Sequence, residues 1–182
     1  VVLLTGVIVL ATGGDEEPPP RPPVAQGAAP QQPEIDVQRY AGRGLSVNVP
    51  SGWKKSGGGV YIDYTDPDDG DRRVRLLVEK ASASTQPLKF LNAAGDRLDR
   101  TPRSCVAPYR QIGLREVEQA GLPSAELEYT CGEGDAMSHA LWRAVVADGR
   151  AYSFRLTAPE ARFEESKAIF DEMVRSFRLD AA

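Results

Sequence analysis

The chain has 182 residues, with 22 Lys and Arg against 26 Asp and Glu and a formal net charge of −4 at pH 7. Arginines interleaved with acids under so mild an acidic balance argue against a nucleic-acid-binding surface, which would show clustered Lys and Arg. The N-terminal stretch is rich in proline, which leaves roughly 145 residues for one folded domain, enough to bury a core without a metal.

Residues 1–14, VVLLTGVIVLATGG, carry no charge and are almost wholly apolar. They fall short of the roughly 20 residues that a spanning helix needs, and the chain opens on Val1 instead of Met. Three origins fit. We favour a fragment cut inside a transmembrane helix over an alternative start at Val1, and over a signal peptide whose basic region is missing. No cysteine follows the run, which argues against a lipoprotein anchor. Residues 15–36 read as a disordered stalk. Asp15, Glu16 and Glu17 suit the outer side of a membrane, since Lys and Arg collect on the inner side. The run PPPRPPVAQGAAPQQP at 18–33 favours extended polyproline II. A spacer explains it better than a ligand for a proline-recognising domain.

Residues 37–180 carry the folding signals. Leu45, Val47 and Val49 alternate with polar residues as in a half-buried strand, and Pro50 and Gly52 turn the chain so that Trp53 folds back onto the core. Val60, Ile62 and Tyr64 mark one strand face, and Val74, Leu76 and Val78 mark another. The turn-rich run 66–71, DPDDGD, lies between them. Thr85 can cap a helix with Pro87 in its first turn. Leu88, Leu91 and Leu98 then recur at helical spacing up to about Arg100. Ile112 and Leu114 share a strand face and Val117 falls out of phase, which predicts a bulge near Gly113. Ala125, Leu127, Tyr129 and Cys131 line one face of the next strand, opposite Glu126, Glu128 and Thr130. SHALWRAVVA at 138–147 is apolar on both faces in part, as in a central strand. Asp148-Gly149 then makes a two-residue hairpin, followed by Tyr152, Phe154 and Leu156 on one face. Thr157 and Glu160 have capping-box spacing, with Pro159 between them. Phe163, Phe170, Val174 and Phe177, backed by Ile169 and Met173, form the stripe of the last helix. The predicted order is strand, hairpin, helix, four strands, helix. This is an α+β fold: a largely antiparallel sheet of six to seven strands with helices packed on it.

Cys105 and Cys131 are the two cysteines. In an exported protein an even count reads as one disulfide, closing a loop of about 27 residues for roughly 3–4 kcal/mol of stabilisation. Two reduced, buried thiols are the alternative. His139 is the lone histidine, and no placed nucleophile accompanies it, so it reads as structural. A zinc site on His139 and Cys131 would need two more ligands, and Glu133 and Asp135 are ordinary loop residues. The carboxylates of 66–71 fail the EF-hand pattern, because the fifth position is Gly70, the sixth Asp71 and the twelfth Leu77. They read as a solvated hairpin tip. Gly57-Gly58-Gly59 lacks the Lys-Ser/Thr of a phosphate loop and precedes a strand. No kinase, GxSxG or HExxH motif occurs. We therefore expect no catalytic residue, metal or cofactor.

GLSVNVPSGW at 44–53 resembles the opening of bacterial domains with the PsbP-like fold. GLPSAELEYT at 121–130 and GRAYSFRLTAP at 149–159 are similar to the C-terminal domains of actinobacterial receptor-type serine/threonine kinases, as are Phe170 and Ser176-Phe177-Arg178. The resemblance covers about residues 40–179. It implies a PsbP-like α/β/α sandwich and an order of kinase, single transmembrane helix, proline-rich stalk and extracytoplasmic domain, of which this chain would hold the last three. The expected function is then a non-catalytic sensory or interaction domain outside the cytoplasm, on a single-pass membrane protein. Its expected partners are the membrane, through residues 1–14, and an envelope ligand or protein, with a homodimer as one means of signalling. A stand-alone anchored or secreted envelope protein, acting as scaffold or small-molecule carrier, is the alternative.

Overall fold

The computed structural model describes residues 35–82 and 84–180. The apolar segment and nearly all of the expected stalk lie outside these residues. Among the described residues no helix is long and apolar enough to cross a membrane.

The elements run β1 (Val37–Gly42), β2 (Leu45–Pro50), β3 (Lys54–Gly58), β4 (Tyr61–Thr65), β5 (Arg73–Lys80), α1 (Pro87–Arg100), β6 (Tyr109–Gln119), β7 (Leu122–Cys131), β8 (Ser138–Ala147), β9 (Arg150–Pro159), α2 (Glu160–Ser176) and β10 (Arg178–Leu179). Seven strands form an antiparallel sheet in the order β3-β4-β5-β9-β8-β7-β6, and β1, β2 and β10 form a small second sheet. Strands β1, β3 and β10 add to the predicted order. Their sequences explain why they escaped notice. VQRYAG and KKSGG are polar or glycine-rich and largely exposed, and β10 has two residues. A strand with little buried surface carries no apolar alternation to read.

A helix lies on each face of the large sheet, and its central strands β7, β8 and β9 bury side chains of both parities. One face packs on α2 and β2 through Leu76, Tyr152, Phe154, Leu156, Phe163, Phe170, Met173 and Phe177, joined by Leu45, Val47 and Val49. Phe154 lies 5.5 Å from both Phe170 and Phe177, ring centre to ring centre. Burying each such ring contributes about 1.5–3 kcal/mol. The other face packs on α1 through Leu91, Leu98, Ala125, Leu127, Tyr129, Ala140 and Ala144. Asp148 and Gly149, with φ of 49° and 71°, make the tight turn between β8 and β9.

Several local expectations change. Val60 lies ahead of β4 and is 53% exposed. The bulge near Gly113 is present, but Ile112 is the unpaired residue and is 55% exposed, while Leu114 packs on the α1 side. Helix α1 is preceded by Gln86 with no side-chain cap, because the Thr85 hydroxyl accepts from the Ser82 amide instead. Helix α2 starts directly as β9 ends at Pro159, so Thr157 stays in the sheet opposite Arg73 and no capping box forms.

Helix α1 approaches β6 closely at Gly95, where a Cβ would sit 2.7 Å from the Tyr109 hydroxyl. Burial, then the neighbouring Tyr129 phenol and the carboxylates of Asp96 and Asp99, push Tyr109 up to about 12. The unfolded phenol ionises near pH 10 (about its free value). Above that pH the unfolded chain loses a proton that the folded chain keeps, so stability falls as pH rises from about 10 toward 12. Urea unfolding across this range is expected to show that fall, and Tyr109→Phe should reduce it, leaving the share of Tyr64, which burial also pushes up. An unchanged profile in the variant would remove Tyr109 as its source.

Candidate functional site

Val74 and Leu76 of β5 point into the α2-side core. Strand alternation therefore turns Arg73 and Arg75 onto the opposite face. Register sets Arg75 directly beside Arg155 of β9, and Arg155 beside Trp142 of β8. On that face α1 packs on β6, β7 and β8. Next to it opens a groove of about 530 Å³ whose lining includes Arg73, Arg75, Arg155 and Trp142 on the sheet side. Arg97 in the last turn of α1, and Arg103 in the segment after it, line the other side.

These arginines differ in their partners. Arg75 holds Asp63 in a two-pronged pair, with Nε–Oδ1 and Nη2–Oδ2 both 2.7 Å, and its guanidinium lies 4.5 Å from the Tyr61 ring centre. The hydrogen bonds to Asp63 outweigh burial and raise its pKa above the usual arginine value. Arg155 donates from Nη1 to the Tyr129 hydroxyl at 3.0 Å and stacks 5.1 Å from the Trp142 ring centre. It pairs with no carboxylate among the described residues. Arg73 is lowered from the usual arginine value by burial first and then by the like charges of Arg155 and Arg75. Its Nε is buried with no hydrogen-bond partner among the described residues, as is the Ser153 hydroxyl on the same sheet face. Arg73, Arg97 and Arg103 form no ion pair with any described residue. Arg73 also borders a second hollow of about 300 Å³ that includes Asp71 and Asp135. Such a groove can hold negative charge. Among the described residues no three His, Cys, Asp or Glu side chains converge as metal ligands.

The family model described as the serine/threonine kinase C-terminal domain matches residues 37–179. The chain belongs to that family. No curated protein matches it. Among solved structures, cyanobacterial PsbP (CyanoP) from Synechocystis is 21% identical with a TM-score of 0.63, over 85% of this chain and 98% of that one. The yeast Ran-binding protein Mog1p is 10% identical with a TM-score of 0.59, over 80% and 96%. LpqN of Mycobacterium tuberculosis, described as involved in cell envelope biogenesis, is 14% identical with a TM-score of 0.52, over 81% and 92%. The fold of this kinase C-terminal domain is thus PsbP-like, as the sequence implies.

In this kinase C-terminal domain the residues singled out from sequence lie apart from the groove or at its margin. Cys105 and Cys131 form a disulfide that joins the segment after α1 to the end of β7. His139 is buried, stacked on Phe163 with ring centres 3.4 Å apart. Its Nδ1 is 2.8 Å from Glu160 and its Nε2 is 2.9 Å from Glu128, which pins the start of α2 to the sheet. Of the four carboxylates of 66–71, Asp66 and Asp69 are engaged, while Asp68 and Asp71 are exposed. Asp66 pairs with Arg72, and Asp69 pairs with Arg162 of α2. Burial pushes the Asp66 carboxyl up, but the Asp68 amide and the Arg72 guanidinium outweigh it and hold it below the usual range. Gly57 and Gly58 end β3 and Gly59 turns into β4.

Sequence reasoning treated the groove arginines as ordinary surface charge. One signal was present: Arg73-Val74-Arg75-Leu76 alternates basic with core residues, which puts two cations on one face. Pairing of β5 with the distant β9, which supplies Arg155, has no local signature.

Proposed function

We propose that residues 37–180 are the non-catalytic, extracytoplasmic sensory domain of a membrane-anchored receptor, the C-terminal part of a bacterial serine/threonine kinase. Its ligand site is the groove beside α1. Ligand binding, or pairing of two copies, biases the kinase on the other side of the membrane. The Cys105–Cys131 disulfide within a kinase C-terminal domain carries this reading. A kinase works in the reducing cytosol, where structural disulfides are rare, so the disulfide-bearing part belongs on the oxidising side. The apolar run 1–14 and the acidic, proline-rich run 15–36 supply an anchor and a spacer.

Protease treatment of intact spheroplasts carrying the full-length protein with a C-terminal epitope tag tests the location. The tag is expected to disappear without lysis, and a tag protected until lysis overturns the reading. The reading frame upstream of Val1 is expected to encode a kinase. A stop codon there would leave a stand-alone anchored envelope protein.

A further inference from the structure

We infer that the groove beside α1 binds a phosphate-bearing ligand with more than one negative charge. This rests on the groove being the ligand site of the sensory domain. Three observations carry it beyond a generic basic surface. First, cations come from two walls. Arg73 and Arg155 rise from the sheet, while Arg97 and Arg103 stand on α1 and the segment after it. None of the four has a carboxylate among the described residues, and Glu79 is the one acid in the lining. A planar, singly charged carboxylate satisfies one guanidinium fork, whereas a tetrahedral phosphate with further anionic groups offers acceptors toward both walls. Second, the sheet wall is pre-organised. Arg155 is held by the Tyr129 hydroxyl and the Trp142 ring, and Arg75 by Asp63 and Tyr61. Donors already fixed in place lose little freedom on binding. Third, the Arg73 Nε is buried without an acceptor among the described residues. A native structure rarely leaves a buried donor unpaired, and an oxyanion would supply what it lacks.

The chemistry could come from a soluble phosphate or from a phospholipid headgroup, and two arms separate them. In the first, the full chain in neutral detergent is titrated calorimetrically with inorganic tripolyphosphate. In the second, it is incubated with vesicles of zwitterionic lipid, with and without anionic phospholipid. Saturable tripolyphosphate binding is expected, weakening with salt. Arg73→Gln and Arg155→Gln should each lower affinity by about tenfold or more. Arg97→Gln, on the exposed wall, gives the same test where the sheet variants lose their fold. Arg110→Gln, on exposed β6, should leave affinity unchanged. Selective capture by anionic vesicles, lost in the same variants, would assign the headgroup source. The inference is overturned if neither phosphate source binds, or if binding ignores all three groove substitutions. Kinase autophosphorylation in cells separates this from the underlying reading. Groove variants that alter kinase output without any phosphate binding would keep the site and discard the ligand class. Arginine-dependent phosphate binding with unaltered output would keep the ligand class and discard the receptor role.

Discussion

Replacing Glu126 by alanine is expected to destabilise the domain by about 3–5 kcal/mol, the range for leaving a buried charge without its partner. Glu126 is 3% exposed on β7, and Arg143 is 9% exposed directly opposite it on β8. The carboxylate receives Arg143 on one side and Arg115 of β6 on the other. Arg143 also donates to Gln119 Oε1 at 3.0 Å and lies 5.7 Å from the Phe170 ring centre. Gln119 in turn donates to the Val174 carbonyl at 2.7 Å. The network therefore ties β6, β7 and β8 to α2 through one anion. Without it, Arg143 keeps its charge against an aromatic wall, with a neutral amide as its remaining partner. Arg115 is well exposed and loses little. Urea unfolding of Glu126→Ala measures the cost. The double variant Glu126→Leu with Arg143→Met should recover most of it, because the charge is then gone from both sides. A single variant that costs less than about 1 kcal/mol would mean that water reaches Arg143 and that the pair is a surface contact.

The same pair shows how far the sequence could be read. Alternation along Ala125, Leu127, Tyr129 and Cys131 identified the face of β7 that packs on α1. It also put Glu126, Glu128 and Thr130 on the other face, and a polar strand face ordinarily means solvent. The second helix reverses that meaning, since α2 covers the opposite side and leaves Glu126 and Thr130 buried. Apolar periodicity reports the faces that exclude water with hydrocarbon. A face closed by charges that satisfy one another has no such signature. Elements with one wet and one dry side, such as β5 and α2, were therefore legible. The edge strands β1 and β3 were not. The groove escaped for a related reason, because its arginines come from β5, β9, α1 and the segment after it. Only the sheet order, with β9 between β5 and β8, brings them together.

Removing the disulfide, as Cys105→Ala with Cys131→Ala, is expected to cost about 3–4 kcal/mol in the chain-entropy account, given a sequence separation of 26. The loss should not be uniform along the chain. Cys131 ends β7, whose ladder to β8 and β6 persists without the bond. Cys105 lies in the turn-rich segment between α1 and β6, whose described backbone bonds are few: Ser104 and Cys105 both donate to the Thr101 carbonyl, and the Val106 and Pro108 carbonyls accept from Gly132. This segment carries Arg103 and Ser104, the outer wall of the groove. We expect its position to depend on the covalent link more than on its bonds to Gly132. Hydrogen exchange of the double variant should therefore lose protection first around residues 101–108, while β9 keeps protection close to the global value. Ligand affinity should fall along with that wall. The sheet arginines Arg73 and Arg155 remain in place on their strands, so binding should weaken without vanishing. Uniform loss of protection would show that the link stabilises the domain as a whole and does not act as the local clamp of the groove.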